Sequence, residues 1–188
     1  ILGLKEGEYF EVDAWFLSHN HSDHFYELAK MLRDYTADSN YKINNFLFDF
    51  PAHGTEEYPV HNADLKEWAV LKAGLNNYAA VNGIEVKGAS YYDDVNGAVI
   101  NAASVEKGLS FDVDGVKIDV LQTWDKNDGE DVNNNSLILK VWVDGQSILF
   151  LNDAGLTAEN RLLMGKYKDQ VKSDIVQLAH HGQNGLSK

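Results

Sequence analysis

The stretch AWFLSHNHSDH, residues 14–24, decides how this chain is interpreted. Its first half, residues 14–18, is an apolar run of the kind found in strands that are buried on both faces. Its second half holds three histidines and one aspartate within six residues, namely His19, His21, Asp23 and His24. Imidazole and carboxylate are the ligands that zinc takes in the absence of thiolate, and imidazole is mostly neutral at pH 7. The stretch therefore predicts a buried strand that ends in a metal site.

The spacing within this motif suits two ions. If the segment stays extended, His19 and His21 lie on one face of the chain and can hold one ion. Asp23 and His24 fall where the chain turns into the next element, so they can hold a second ion close by. The alternative is a solvated polar turn with surface histidines, which is a rare composition for so short a stretch.

Two later positions carry further candidate ligands. His180 and His181 follow the apolar run 174–179, and open α/β sheets place their sites at the carboxyl ends of strands. Alone, such a pair is more typical of a polar surface. Asp153 follows the apolar run 147–151, where a carboxylate can bridge two cations. Its alternative role is to cap the helix that follows, which is a common use of aspartate.

The rest of the chain predicts one mixed α/β domain over residues 1–188. Helical periodicity marks residues 25–33, 64–81 and 157–164, with Gly83 ending the second helix and Thr157 capping the third. Asp114-Gly115 and Asp144-Gly145 lie between apolar runs and predict two hairpins, 110–113 with 116–121 and 137–143 with 147–151. Short strands are predicted at 46–50 and 84–86 and a last buried strand at 174–179. Polar loops are predicted around His53 and His61 and, exposed, at 125–135.

Composition excludes several classes of function. A chain of 188 residues can bury a full hydrophobic core, and its formal net charge of -13 argues against a broad basic face that grips nucleic acid. The absence of cysteine excludes disulfides, thiolate metal sites and cysteine nucleophiles. No apolar run approaches the roughly 20 residues that span a bilayer. No signal peptide is visible, which leaves both a cytoplasmic and a secreted protein open.

Taken in order, these elements resemble the metallo-β-lactamase superfamily. The opening motif of that family, His-x-His-x-Asp-His after a buried strand, is matched by His19 to His24, its later lone aspartate by Asp153, and its final histidine by His180 or His181. The Asn-Asn-Asn-Ser-Leu-Ile-Leu stretch at 133–139 and the His-His-Gly at 180–182 are similar to one branch in particular. That branch holds the metallo-β-lactamase domains of competence-type DNA-uptake proteins and the phosphorylcholine esterases.

Three departures from the family pattern stand out. Most members supply a further histidine for the first ion just before the strand that here starts at Ser136, where this chain has Asn133, Asn134 and Asn135. The glycine that usually precedes the bridging aspartate is Asn152. The family also has strands before the first motif and after the last one, so we expect a domain that is incomplete at both termini.

The resemblance implies a four-layer αββα sandwich with two metal ions at its edge, zinc or alternatively manganese. His19 and His21 would hold the first ion, Asp23, His24 and one of His180 and His181 the second, and Asp153 would bridge them. A metal-activated hydroxide would then hydrolyse a substrate, with Asp23, His180 and His181 as the candidate catalytic residues. The resemblance favours a phosphodiester substrate, and nucleic acid is disfavoured by the charge. The alternatives are a lactamase- or lactonase-type hydrolase of C–N or C–O bonds and a non-enzymatic metal-binding domain.

Overall fold

The computed structural model describes residues 5–48, 62–84, 108, 110–123, 125 and 131–183. Nine strands lie in these ranges: β1 Phe10–Val12, β2 Trp15–Phe16, β3 Tyr41–Ile43, β4 Phe46–Leu47, β5 Ser110–Val113, β6 Val116–Gln122, β7 Ile138–Val143, β8 Gln146–Phe150 and β9 Ile175–Val176. The α-helices are α1 Tyr26–Arg33, α2 Asn62–Asn82 and α3 Leu156–Met164. Single 3-10 turns cover Ser22–His24, Val132–Asn135, Lys168–Gln170 and His180–Gly182.

The strands form two short parallel pairs and one larger mixed sheet. β1 pairs with β3 and β2 with β4, both in parallel. The larger sheet has the order β5-β6-β7-β8-β9, antiparallel except for the parallel pair of β8 and β9. Parallel pairing brings the end of β8 and the end of β9 to the same edge of this sheet. The residues that follow these two strands, Asp153 and His180, therefore lie on that edge.

Three apolar clusters separate four layers. The first packs α1 and α2 against the short strands, with Leu32, Leu75 and Phe46 fully buried. The second lies between the short strands and the large sheet, where Leu47 meets Val120 and neighbouring residues. The third packs the opposite face of the large sheet against Ala158 and Leu162 of α3. The four layers are therefore α1 with α2, the short strands, the large sheet and α3, which confirms the αββα sandwich.

Local sequence patterns predicted most helices and strands correctly. Both Asp-Gly pairs have positive φ angles at each residue, from 49° to 80°, so both predicted hairpins are confirmed. Gly83, with φ +62°, ends α2 as predicted. At Gly74 the two helices of the outer layer lie so close together that a Cβ there would be 2.7 Å from the backbone oxygen of Ala29. Among the helices that the structure describes, none is long and apolar enough to cross a bilayer.

Three local predictions were wrong. Thr157 lies inside α3, whose N-cap is Gly155, and the side-chain oxygen of Asn134 accepts from the Ala158 N–H at 3.1 Å in place of a local cap. The last strand is an exposed two-residue edge, with Ile175 51% and Val176 48% accessible, because nothing described covers it. Asn134 and Asn135, at the end of the predicted loop at 125–135, are buried rather than exposed, and the Asn134 side chain contacts α3.

Some predictions fall outside or at the limits of the described residues. His53 and His61 and most of the predicted strand at 84–86 lie outside them. Ile84 itself belongs to no strand, and the predicted strand at 46–50 is described only through residue 48.

Candidate metal centre

Three chain segments meet at one edge of the sandwich. The first motif leaves β2 at Ser18, whose carbonyl accepts from the Leu137 N–H at 2.8 Å and so joins the short strands to the large sheet. The Asp153 N–H donates to the Ser136 hydroxyl at 3.2 Å. The His180 N–H donates to the Asn152 carbonyl at 2.9 Å, which connects the end of β9 to the end of β8. These bonds hold the three predicted ligand groups side by side.

A buried carboxylate lies between two imidazoles. Oδ2 of Asp153 is 3.3 Å from Nε2 of His24 and 3.3 Å from Nε2 of His181, and Asp153 is only 4% exposed. Asp23, on the solvent side, has its Oδ2 3.5 Å from the same His24 nitrogen and 4.0 Å from that of His181. The His24 Nε2 is itself buried and forms no hydrogen bond within the described part of the chain. A nitrogen that faces two carboxylates needs a cation or a proton between them.

His19 and His21 form the second half of the cluster. Nε2 of His19 lies 3.1 Å from Nδ1 of His21, and the two rings meet nearly edge to face. Two nitrogens at this separation can share one proton or bind one ion, because zinc–nitrogen bonds of about 2.0–2.1 Å span it easily. The first motif therefore places both rings as the extended spacing predicted.

Burial keeps His19 neutral. The side chain is fully buried, and this burial is the main reason that the pKa of His19 falls from 6.5 to about 2. Repulsion from neighbouring imidazoles, that of His24 first, contributes the rest of this shift. A neutral imidazole has a lone pair available for a metal at any physiological pH.

The donor set fits a metal centre. His19, His24 and Asp153 each offer a ligand atom within 4.8 Å of the others, and so do Asp23, His24 and His181. The two groups share His24 and lie next to each other. Six of the seven residues that the sequence singled out thus come together: His19, His21, Asp23, His24, Asp153 and His181.

The seventh residue, His180, lies beside the cluster but belongs to neither of these two groups. Its ring centroid is 6.1 Å from that of His181, and it lines a cavity of about 190 Å³ together with Asn133, Asn134 and Thr157. The sequence left open which histidine of the pair faces the candidate ions. The geometry places His181 against Asp153 and leaves His180 at the wall of a polar cavity.

Left-handed backbone produces this arrangement. Asn152, His180 and His181 have φ angles of 50°, 48° and 55°, a region that non-glycine residues adopt at a cost. Asparagine tolerates it better than most residues. Asn152 therefore supplies the conformation that a glycine would allow at this position, and the departure from the family pattern leaves the turn intact.

The helix-cap alternative for Asp153 is wrong. The N-cap of α3 is Gly155, and no side chain of its own turn caps it. The Asp153 carboxylate instead faces the imidazoles of His24 and His181.

Several supporting residues escaped the sequence analysis. Ser18 Oγ lies 3.1 Å from Nδ1 of His19 and 3.2 Å from Nδ1 of His24. The Gln177 side-chain oxygen accepts from the N–H groups of Leu151 and Asn152 at 3.0 and 2.7 Å, which stabilises the turn before Asp153. Ser18 directly precedes the motif and could have been noticed there. Gln177 gives no signal, because its partners are distant in sequence.

Comparison with known proteins adds little to this geometry. No family model matches the chain, and no curated protein matches it. Among solved structures, it is similar to a mutant of CmlA beta-hydroxylase, at 11% identity and a TM-score of 0.43 over 81% of this chain and 22% of that one. The chain thus spans about a fifth of that protein's length. A likeness this distant carries no argument about function, so the metal centre is inferred from side-chain geometry alone.

Proposed function

We propose that the chain is a metal-dependent hydrolase of the metallo-β-lactamase superfamily. One observation carries the proposal: the buried Asp153 carboxylate lies 3.3 Å from two imidazoles that come from opposite ends of the sequence. A buried charge is costly unless it is paired or binds a metal. The αββα layers and the order of the motif residues also agree with this superfamily.

The ligands divide between two ions. His19 and His21 would hold the first ion, and Asp23, His24 and His181 would hold the second, with Asp153 available to both. The 3.1 Å contact of His19 with His21 supports the first set, and the close group of Asp23, His24 and His181 supports the second. Asp153 lies within 4.8 Å of ligand atoms of both His19 and His24, one from each set. When bound, zinc or manganese ions lower the pKa of water and polarise a substrate oxygen, which makes hydrolysis feasible at neutral pH.

The chain's own residues orient the site. The backbone N–H of Asp153 donates to the Ser136 hydroxyl, and the Asp153 side chain is buried, so the carboxylate has little conformational freedom. His180 lies beside the cluster at the wall of the cavity, where its imidazole can donate a hydrogen bond or a proton to the substrate's departing oxygen. Asp23 is 68% exposed at its side chain and closes the solvent side of the cluster.

The proposed substrate is a small phosphodiester. The branch resemblance of the stretch at 133–139 supports this class by analogy only. The cavity beside His180 measures about 190 Å³, which suits a small polar group better than a drug-sized ligand of roughly 300 Å³ or more. The net charge of -13 disfavours a long polyanion, since metals would be the main source of positive charge at the site.

The test is a substrate panel on metal-loaded protein. We expect turnover of bis-p-nitrophenyl phosphate that needs zinc or manganese, with weak or no turnover of β-lactams and lactones. His24→Ala should abolish the activity while circular dichroism shows a retained fold. His181→Ala should lower metal content, whereas His180→Ala should lower turnover at unchanged metal content.

Each outcome decides a separate point. Strong turnover of β-lactams or lactones with a silent diester assay would replace the substrate class. Silence in all assays with two metals bound would argue for a metal-binding domain without activity. Protein that binds no transition metal on addition would refute the hydrolase itself.

A further inference from the structure

One hydroxyl group touches both halves of the metal centre. Ser18 Oγ lies 3.1 Å from Nδ1 of His19 and 3.2 Å from Nδ1 of His24, both within the range of an N–H···O hydrogen bond. The two rings also lie close to each other, with centroids 4.1 Å apart. His19 belongs to the proposed first ion and His24 to the proposed second, so Ser18 contacts a ligand of each.

The single proton of the Ser18 hydroxyl restricts which atoms can donate in these two hydrogen bonds. A serine hydroxyl has one proton and two lone pairs, so it can accept from both nitrogens but cannot donate to both. At least one of the two rings therefore carries its proton on Nδ1. A histidine that binds a metal through Nε2 keeps its remaining proton on Nδ1. The two rings can both present Nε2 only if Ser18 accepts from both Nδ1–H groups.

The free ring nitrogens point towards the proposed ions. Nε2 of His24 faces the carboxylate of Asp153 at 3.3 Å, and Nε2 of His19 faces Nδ1 of His21 at 3.1 Å. Both are the nitrogens opposite to the ones that Ser18 contacts.

We infer that Ser18 is a positioning residue that fixes the tautomers of His19 and His24. By accepting from both Nδ1–H groups it leaves both Nε2 lone pairs directed at the metals, and it couples the orientation of one ion's ligand to that of the other. This inference rests on the metal centre of the proposed function. Ser18 is not one of the proposed ligands and would act only through the two rings.

The test compares Ser18→Ala with Ser18→Thr. Threonine keeps the hydroxyl, and its extra methyl has room because Ser18 borders a cavity of about 250 Å³ between the sheets. Ser173→Ala is the matched control, since Ser173 is also half-buried and its hydroxyl donates to a backbone carbonyl, that of Val171, at 3.2 Å. Two quantities are measured: zinc affinity by competition with a chromophoric chelator, and ring tautomers in metal-free protein by long-range ¹H–¹⁵N correlation spectra.

We expect Ser18→Ala to weaken zinc binding about 10- to 100-fold, as is typical when a partner of a ligating histidine is removed. The spectra of the metal-free protein should show His19 protonated at Nδ1, and Ser18→Ala should lose this preference. His24 is not used in this comparison, because its Nε2 faces two carboxylates and carries a proton until a metal replaces it. Ser18→Thr and Ser173→Ala should keep both properties. Unchanged affinity and tautomers in Ser18→Ala would overturn the inference. If the unaltered protein bound no zinc, the proposed function would fail, while the spectra would still decide the tautomers.

Discussion

Replacing Asp153 tests the metal centre most directly. Among the described residues, its carboxylate alone lies within 3.3 Å of both His24 and His181, and it also belongs to the group that contains His19. If Asp153 is the shared ligand, Asp153→Ala should weaken the binding of both ions. Asp38→Ala is the control, because it removes the same charge from an exposed position.

The expected size follows from ligand linkage. Each zinc ion at 100 times its Kd adds about 2.7 kcal/mol to the free energy of unfolding, so two independent ions add about 5.4 kcal/mol. For a chain of this length each kcal/mol raises the Tm by about 2–4 °C, so two zinc ions should raise it by about 11–22 °C. Losing a shared ligand should raise the Kd at least about 100-fold, since even an indirect partner accounts for 10- to 100-fold. At the same zinc concentration the stabilisation of Asp153→Ala by two ions then falls to about 0.8 kcal/mol, which is about 2–3 °C in Tm.

The assay is a thermal melt with zinc and with chelator, paired with elemental analysis of metal per chain. Each variant is compared with its own chelated form, so any change in intrinsic stability cancels. Asp38→Ala should keep the full zinc shift. A zinc shift of full size in Asp153→Ala, with unchanged metal content, would refute the assignment of Asp153 as a ligand.

Three further predictions concern stability. In metal-free protein the free energy of unfolding should fall as the pH drops from about 6.5 towards 2, by up to about 1.4 kcal/mol per pH unit, because His19 takes up a proton in the unfolded chain but not when it is buried. Denaturant titrations should show a weaker pH dependence for His19→Gln, and an equal pH dependence in the two proteins would contradict this prediction. Asn152→Ala should be less stable than Asn152→Gly by about 1 kcal/mol, because φ at this residue is +50°; an alanine variant at least as stable would argue against backbone strain there. Gly74→Ala should lower the free energy of unfolding by about 1–3 kcal/mol despite the better helix propensity of alanine, because the new Cβ would collide with the Ala29 carbonyl. A rise in Tm would show that α1 and α2 can move apart at little cost.

Features set by neighbouring residues could be predicted from the sequence. The two Asp-Gly hairpins and the end of α2 at Gly83 depend on φ angles that only a few residue types adopt, so composition reveals them. The first motif is equally local, because the contact between His19 and His21 follows from their spacing. The layers followed from the resemblance and were then confirmed by the packing.

Features set by distant residues could not be predicted. Thr157 is the best local cap, but Asn134 reaches the same turn of α3 from 24 residues away. The choice between His180 and His181 depends on left-handed backbone that packing imposes. The apolar run at 174–179 indicates a buried strand, yet Ile175 and Val176 are exposed, because a sequence does not show which neighbours cover an edge.

The division of the cluster between the short strands and the large sheet has a consequence for synthesis. His19 to His24 follow a short strand near the start of the chain, whereas Asp153 and His181 follow strands of the large sheet more than a hundred residues later. Contacts so far apart in sequence form late, after the loop between them has closed. A growing chain therefore exposes the histidines of the first motif well before the other ligands have been synthesised. The complete ligand set exists only once residue 181 has left the ribosome and the short strands have packed against the large sheet.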